Sequence, residues 1–501
     1  MTTRHIAVAI AAIALCTAAY GQSTAKNYLA EMKRSDALKG AAWGVAAIKA
    51  GGDTLLNFNS EKRFVPASNV KVITTGIALK QLGAGYRFRT ELAYSGRITD
   101  GVLQGNLYIL GGGDPTTASK YDCAVPVDEL FARWKKILED NGIRSIEGTI
   151  VGDGRGWGGR QVCKDWCAED MGFYYGAEPG ALNFYENVQD FTVAPADSVG
   201  KSVSVTPFFP DAPWMIFQHS CTTGATGTGD QLTYSASDFA PFGAMRGKYA
   251  IDLKSRIEEC VNPYPEYTCA YHFHKYLTAN GMPISDAFAE ISPYGRIRRD
   301  MLLYDDGEDA SAREDLYPLG KTESPALSEI VSETLKRSDN FYAEAILKAV
   351  GQDMYGHATL DSSLLAERRI LSQMGLKPDK RVQLRDGSGL ARTNYVSPGF
   401  FVEFLKAMYG TAEYTTYLNA FPTPGQGTLA ARLAKADPAL KKRVHMKSGS
   451  MNGVRCYCGY ISPADGKREN TVIFSVMVNN STSSSSSINA VLDRLITLLA
   501  Q

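Results

Sequence analysis

The stretch from about Ser68 to Leu82 constrains the fold most. Val70, Val72, Ile73, Ile77, Leu79 and Leu82 are apolar on several faces of one helix, so that helix is expected to be buried. A short helical stretch, Lys26 to Lys39, comes first. It is followed by two strands, Trp43 to Ile48 and Thr54 to Asn57, joined by the hairpin signal Gly51-Gly52-Asp53. From about Arg89 to Val193 the texture changes to short strands and glycine turns, as in "FRTELAYSG" and "GNLYILGGGDP". Ser220 to Thr233, rich in Gly, Ser and Thr, reads as loops, and Tyr267 to Leu277 as a helix. Near Pro318 helices return in "ALSEIVSETLKR" and "NFYAEAILKAVG". Three strands are expected around Val444 to Lys447, Val454 to Ile461 and Thr471 to Val478, then a last helix from about Ser487 to Leu499. The layout predicts an α/β (α+β) domain split into residues 22–95 and 316–501. The inserted part, 96–315, is expected to be mostly β and to hold one or two domains.

Composition adds bounds and few positive signals. The chain has 501 residues, 44% hydrophobic and 21% charged, enough for a large core. Formal net charge is +0, so no global field points to nucleic acid or an anionic membrane. Ile6 to Tyr20 is almost wholly apolar after Arg4 and His5, too short to span a bilayer comfortably. Ala19-Tyr20-Gly21 places small residues where a signal peptidase reads, so residues 1–21 read as a cleaved secretory signal. A lipid anchor on Cys16 is the alternative, disfavoured by Leu15 before it. No other run reaches membrane length, so the mature chain is expected to be soluble. Eight cysteines remain beyond Cys16: Cys123, Cys163, Cys167, Cys221, Cys260, Cys269, Cys456 and Cys458. An even count in an exported chain predicts disulfides, at least two, with pairing open. Cys456 and Cys458 sit two apart on a strand and share one face.

Three short motifs carry the chemistry. "PASNVK" holds Ser68 and Lys71, "RSDN" holds Ser338 and Asn340, and "MKSGS" holds Lys447, Ser448 and Ser450. Residues three apart share a helix face, so the Lys71 amine can meet the Ser68 hydroxyl. A serine hydroxyl is a weak nucleophile until a base takes its proton. Lysine serves as that base when burial and a neighbouring cation lower its pKa, and Lys447 is the expected cation. Singly, each motif is a helix cap, an inter-helix turn or a strand end. Together they come in order, in the right structural contexts, in an exported chain, and form the S-x-x-K, S-D-N, K-T-G set of penicillin-binding proteins and β-lactamases. Other patterns do not hold up. Gly154 to Gly159 matches G-x-G-x-x-G but lacks an apolar helix after it, and His272 and His274 do not share a helix face. No metal and no cofactor are expected.

The blocks "NLYILGGGDPTT" (Asn106 to Thr117), "YYGAEPGALNFYEN" (Tyr174 to Asn187), "LSEIVSETLKRSDNFYAEAIL" (Leu327 to Leu347), "DGSGLARTNYVSP" (Asp386 to Pro398) and "MKSGSMNGVRCYCGYI" (Met446 to Ile461) extend the match. With the three motifs, the chain resembles the class C low-molecular-mass penicillin-binding proteins, the D-alanyl-D-alanine carboxypeptidase/endopeptidase family of DacB type, from about Leu38 to its end. More than half the chain separates Ser68 from Ser338, whereas a β-lactamase of this fold has a far shorter gap. Lys447-Ser448-Gly449 departs from K-T-G but keeps the hydroxyl.

The resemblance implies a DD-peptidase fold, an antiparallel sheet flanked by helices and interrupted by insertions. It implies that Ser68 attacks the penultimate D-Ala carbonyl, Lys71 takes its proton, and Ser338 relays a proton to the leaving amine. Asn340 would hold the substrate peptide, Lys447 and Ser448 its terminal carboxylate, and the N–H groups of Ser68 and Ser450 the oxyanion. Peptidoglycan peptides and β-lactams are the expected partners, in the periplasm or envelope; nucleic acid is not expected. Glu178 stays unassigned because its "EPGALN" motif precedes Ser338. A β-lactamase or esterase of the same fold, and an idle peptidoglycan-binding scaffold, are the competing readings.

Overall fold

The computed structural model describes residues 25–157, 162–237, 240–285, 288–292, 295–297 and 315–501. The expected leader, residues 1–21 with Cys16, lies outside them, as do Gly158 and Gly159. The chain divides into two compact units. One takes the chain up to residue 84, with 331–339 and 367–501; the other takes 85–330 and 340–366.

The first unit is built on β1 (Ala42–Lys49), β2 (Thr54–Phe58), the helix α1 (Val70–Leu82) and the larger part of α2 (Leu327–Arg337), whose residues 327–330, like the whole of α3 (Asn340–Tyr355), group with the other unit. It continues with α4 (Pro398–Tyr409), β3 (Val444–Met451), β4 (Val454–Ile461), β5 (Val472–Asn479) and α5 (Ser485–Leu499). Its sheet has the order β2-β1-β5-β4-β3, with every pairing antiparallel. The two ends of the chain therefore share one sheet, and Val45 faces Val476 across the β1–β5 ladder.

Strand alternation sorts this sheet into two faces. Val45, Ala47, Met446, Tyr457, Val476 and Val478 pack on one face with Ile488, Leu492, Leu495 and Ile496 of α5. The Ser484 hydroxyl caps that helix by accepting the Ser487 N–H. The other face carries Lys447, Cys456, Cys458 and Tyr460. Tyr460 donates its hydroxyl to the Leu405 carbonyl of α4 at 2.7 Å. Pro398 fits the first turn of α4, where no intrahelical donor is needed, and Ser397 accepts the Phe400 N–H. α1 is buried as its sequence demands: Val70, Val72, Ile73, Ile77 and Leu79 are all 0% exposed. Each such side chain stabilises the fold by roughly 1.5–3 kcal/mol relative to exposure.

The second unit has a six-stranded mixed sheet, in the order Gly295–Ile297, Phe288–Ser292, Ile150–Asp153, Leu107–Leu110, Arg89–Tyr94, Tyr317–Glu323. Helices Val127–Asp140 and Pro265–Ala279 bury Phe131, Trp134, Leu138, Phe273 and Leu277 in a core shared with Leu92, Leu107 and Ile150 of that sheet. Two three-stranded sheets enclose a second core around Phe191, Val193, Cys221, Met245 and Cys260.

Two expectations need correction. Ser220 to Thr233 is not all loop, because Ile216–Gly224 is a strand and Thr233 opens another. The first of these pairs in parallel with Phe242–Ala250, a long-range partner that local Gly and Thr content does not reveal. The thiols of Cys167, Cys221, Cys260, Cys269, Cys456 and Cys458 are free, so the expected two or more disulfides are not formed. All but the half-buried Cys167 serve as small core residues: Cys456 is buried, its thiol pushed up to about 12 by desolvation, and it donates to the Val65 carbonyl.

Candidate active site

Ser68 lies in the 3-10 turn Ala67–Asn69 that feeds directly into α1. Ala67 holds φ +48°, a left-handed conformation that costs about 1–3 kcal/mol for a residue with a side chain. One turn on, Lys71 is 0% exposed. Its Nζ donates to Ser68 Oγ at 3.2 Å and to the Ser388 carbonyl at 2.7 Å.

Ser338 sits in the turn between α2 and α3 with φ +63°, a second strained position. Lys447, on the sheet face opposite α5, is also 0% exposed. It donates to Ser338 Oγ at 2.8 Å and to the Ser448 carbonyl at 2.6 Å. Burial holds its ammonium well below the ordinary lysine value, and the charge of Lys71 pushes it the same way. Ser448 donates to Thr428 Oγ1 at 2.8 Å. Ser450 is exposed near the end of β3. Between them Gly449 has to be glycine. A Cβ there would stand 2.5 Å from the Pro66 carbonyl oxygen, so a bare backbone lets β3 lie against the turn that carries Ser68.

Ser68, Lys71, Ser338, Lys447, Ser448 and Ser450 thus belong to one unit. Asn340 begins α3, which groups with the other unit, and its Nδ2 donates to the Tyr175 carbonyl at 2.8 Å. Glu178 is occupied elsewhere: its carboxylate accepts from the buried Lys348 at 2.9 Å. The His272 ring nitrogen lies 3.0 Å from the Asp211 carbonyl oxygen. Arg155–Trp157 form one 3-10 turn. Among the described residues, no three His, Cys, Asp or Glu side chains are placed to hold a metal ion.

Three contributors escaped the sequence reading: the Ser388 carbonyl on Lys71, Thr428 on Ser448, and Thr74, whose hydroxyl donates to the Gly387 carbonyl at 2.7 Å. Gly387 and Ser388 lie in the block Asp386 to Pro398, so the segment was visible although its part in the site was not.

The fold, and a buried lysine one helical turn from a serine hydroxyl, define the serine–lysine class of acyl-transfer enzymes. Within that class, the chain belongs to the D-Ala-D-Ala carboxypeptidase 3 (S13) family, whose sequence profile matches residues 25–290 and 305–499. The sequence is 28% identical over 459 residues to a D-alanyl-D-alanine carboxypeptidase of Actinomadura sp. (strain R39), covering 89% of this chain and 78% of that protein. It is 25% identical over 430 residues to D-alanyl-D-alanine carboxypeptidase DacB of Haemophilus influenzae, covering 83% and 81%. The structure is similar to that of penicillin binding protein 4 (dacB) from H. influenzae, with TM-score 0.76 and 23% identity, covering 92% of this chain and 96% of that one. The last match supports the fold. Among the described residues no helix is long and apolar enough to cross a membrane.

Proposed function

We propose that this enzyme removes the terminal D-Ala from peptidoglycan stem peptides through an acyl-enzyme at Ser68, and that penicillin acylates the same oxygen. The observation that carries the reading is the 3.2 Å contact between Lys71 Nζ and Ser68 Oγ, with the amine sealed from water. Lys71 takes the Ser68 proton while Oγ bonds to the carbonyl carbon of the penultimate D-Ala. The N–H groups of Ser68 and Ser450 hold the oxyanion, an interaction worth about 10²–10³ in rate. The C–N bond then breaks, and Ser338, hydrogen-bonded to Lys447, passes a proton to the leaving amine. Lys447 and Ser448 hold the terminal carboxylate, and Asn340 the peptide. Water releases the acyl group. When the leaving amine belongs to a neighbouring stem peptide, the same steps open a cross-link. The substrate lies outside the cytoplasm, and the apolar run Ile6 to Tyr20 followed by Ala19-Tyr20-Gly21 supports export.

The test is intact-protein mass spectrometry with benzylpenicillin and peptide mapping, alongside D-Ala release from a pentapeptide. One stable adduct on Ser68 is expected. Ser68→Ala and Lys71→Ala should each lose labelling and D-Ala release by about 10⁴ or more. An adduct that survives Ser68→Ala would place the nucleophile elsewhere. Rapid release of penicilloate would favour a β-lactamase.

A further inference from the structure

The loop after Arg385 packs directly on the Ser68 turn. Gly389 has φ +85°, and a Cβ on it would stand 2.0 Å from the Ala67 carbonyl oxygen. The loop is organised by Asp386, which is 0% exposed. Its Oδ1 accepts the Gly389 N–H at 2.8 Å and Asn394 Nδ2 at 2.8 Å, and its Oδ2 accepts the Ala391 N–H at 2.6 Å. Asn394 returns the grip by accepting the Arg385 N–H at 2.7 Å. The two carbonyls inside this clamp both point at α1: Gly387 accepts from Thr74 Oγ1 at 2.7 Å, and Ser388 accepts from Lys71 Nζ at 2.7 Å.

That last contact has a chemical consequence. Lysine ends in a rotating head on a flexible stem, so nothing in the side chain itself aims the amine. As a base, Lys71 has to direct its lone pair at Ser68 Oγ. A carbonyl accepts an N–H from the amine in both of its protonation states, so this anchor survives the proton transfer. A carboxylate in the same place would hold the ammonium form and oppose proton release to the leaving group. A carbonyl, however, has no mobility of its own and is only as well placed as its loop.

We propose that Asp386 is a positioning residue for the nucleophile: through the clamped Gly387 and Ser388 carbonyls it aims Lys71 at Ser68. This rests on the reading of Lys71 as the base. The predicted defect is therefore in acylation and not in ligand binding.

The test resolves benzylpenicillin acylation into a non-covalent binding constant and a first-order acylation constant, for the full-length protein and its variants. Asp386→Ala should lower the first-order constant roughly ten- to a hundredfold, because a misaimed base loses rate steeply with displacement. The binding constant should stay within about twofold. Asp386→Asn keeps one carbonyl acceptor and should recover part of the loss. A folded Asp386→Ala that acylates like the wild type, or one that loses binding and acylation in equal proportion, would overturn the proposal. If Asp386→Ala fails to melt cooperatively, Thr74→Val decides. It cuts the Gly387 anchor while keeping its shape, and an unchanged first-order constant there also overturns the proposal. Lys71→Ala separates the two readings. Wild-type acylation by that variant would remove Lys71 as the base. Loss of acylation in Lys71→Ala beside unchanged Asp386 and Thr74 variants would remove only the positioning role.

Discussion

Lys348 and Lys447 are both shut away from water, one in each unit, at 2% and 0% exposure. Lys348 is given a carboxylate, Glu178 at 2.9 Å, and a carbonyl, Pro179 at 2.8 Å. Lys447 is given the Ser338 hydroxyl and the Ser448 carbonyl, and no carboxylate pairs with it among the described residues. The first arrangement is complete: the charge and its counter-charge fold away together. The second leaves the buried amine without a counter-charge, and burial draws its pKa down instead. A lysine paired inside the protein is architecture, whereas one buried without an anion is, on the function proposed above, left for a ligand that brings its own.

Four outcomes can break or sharpen that contrast. The largest is expected at the paired site. Lys348→Met strands the Glu178 carboxylate and should destabilise the protein by about 3–5 kcal/mol, read from the urea midpoint. Removing both charges, in Lys348→Met with Glu178→Leu, should recover most of that; an equal loss in the double variant would show that the pair is not what matters. Next, in a Ser68→Ala background, Lys447→Met should weaken non-covalent penicillin binding by about 2–3 kcal/mol, measured by calorimetry. Unchanged affinity would move the carboxylate site elsewhere. A smaller effect, of opposite sign to that at Lys348, is expected on folding. Lys447 has its pKa depressed in the folded state, so the wild type carries the full cost of the buried ammonium below that depressed value. The cost disappears as pH rises towards the unfolded value of 10.5. Lys447→Met should therefore be more stable than wild type by about 1 kcal/mol at acid pH, with the gain fading in alkali. The smallest effect is protonic. Between the depressed pKa and 10.5, penicillin binding to the Ser68→Ala protein should take up a fraction of a proton, seen in buffers of different ionisation enthalpy. No uptake at any pH in that range would show that the ligand's carboxylate does not draw a proton to Lys447.

Much of this site is legible in the sequence because its logic is local. The spacing of Ser68 and Lys71 implies a shared helix face, and the structure places their side chains 3.2 Å apart. Val454 to Ile461 is a strand over the same residues that the sequence predicts. What stayed hidden is carried by backbone. The acceptor on Lys71 is the carbonyl of Ser388, and every residue type offers the same carbonyl. Asp386 could be seen as part of a block, but its role depends on a turn whose amides converge only in three dimensions. Cys221 and Cys260 show a different limit. Counting cysteines suggests bridges, whereas burial in a small apolar core explains the same residues as space-filling thiols.

The position of β5 sets when the enzyme comes into being. It lies between β1 and β4 and ties the first hairpin of the chain to the last. A two-stranded hairpin alone is marginal in water, so β1 and β2 have no durable sheet to join until Val472–Asn479 has been made. A growing or clipped chain that stops just short of Val472 already contains Ser68, Lys71, Ser338, Lys447 and Ser450. It would carry these residues, all proposed for the site, without the strand that joins the two parts of their sheet.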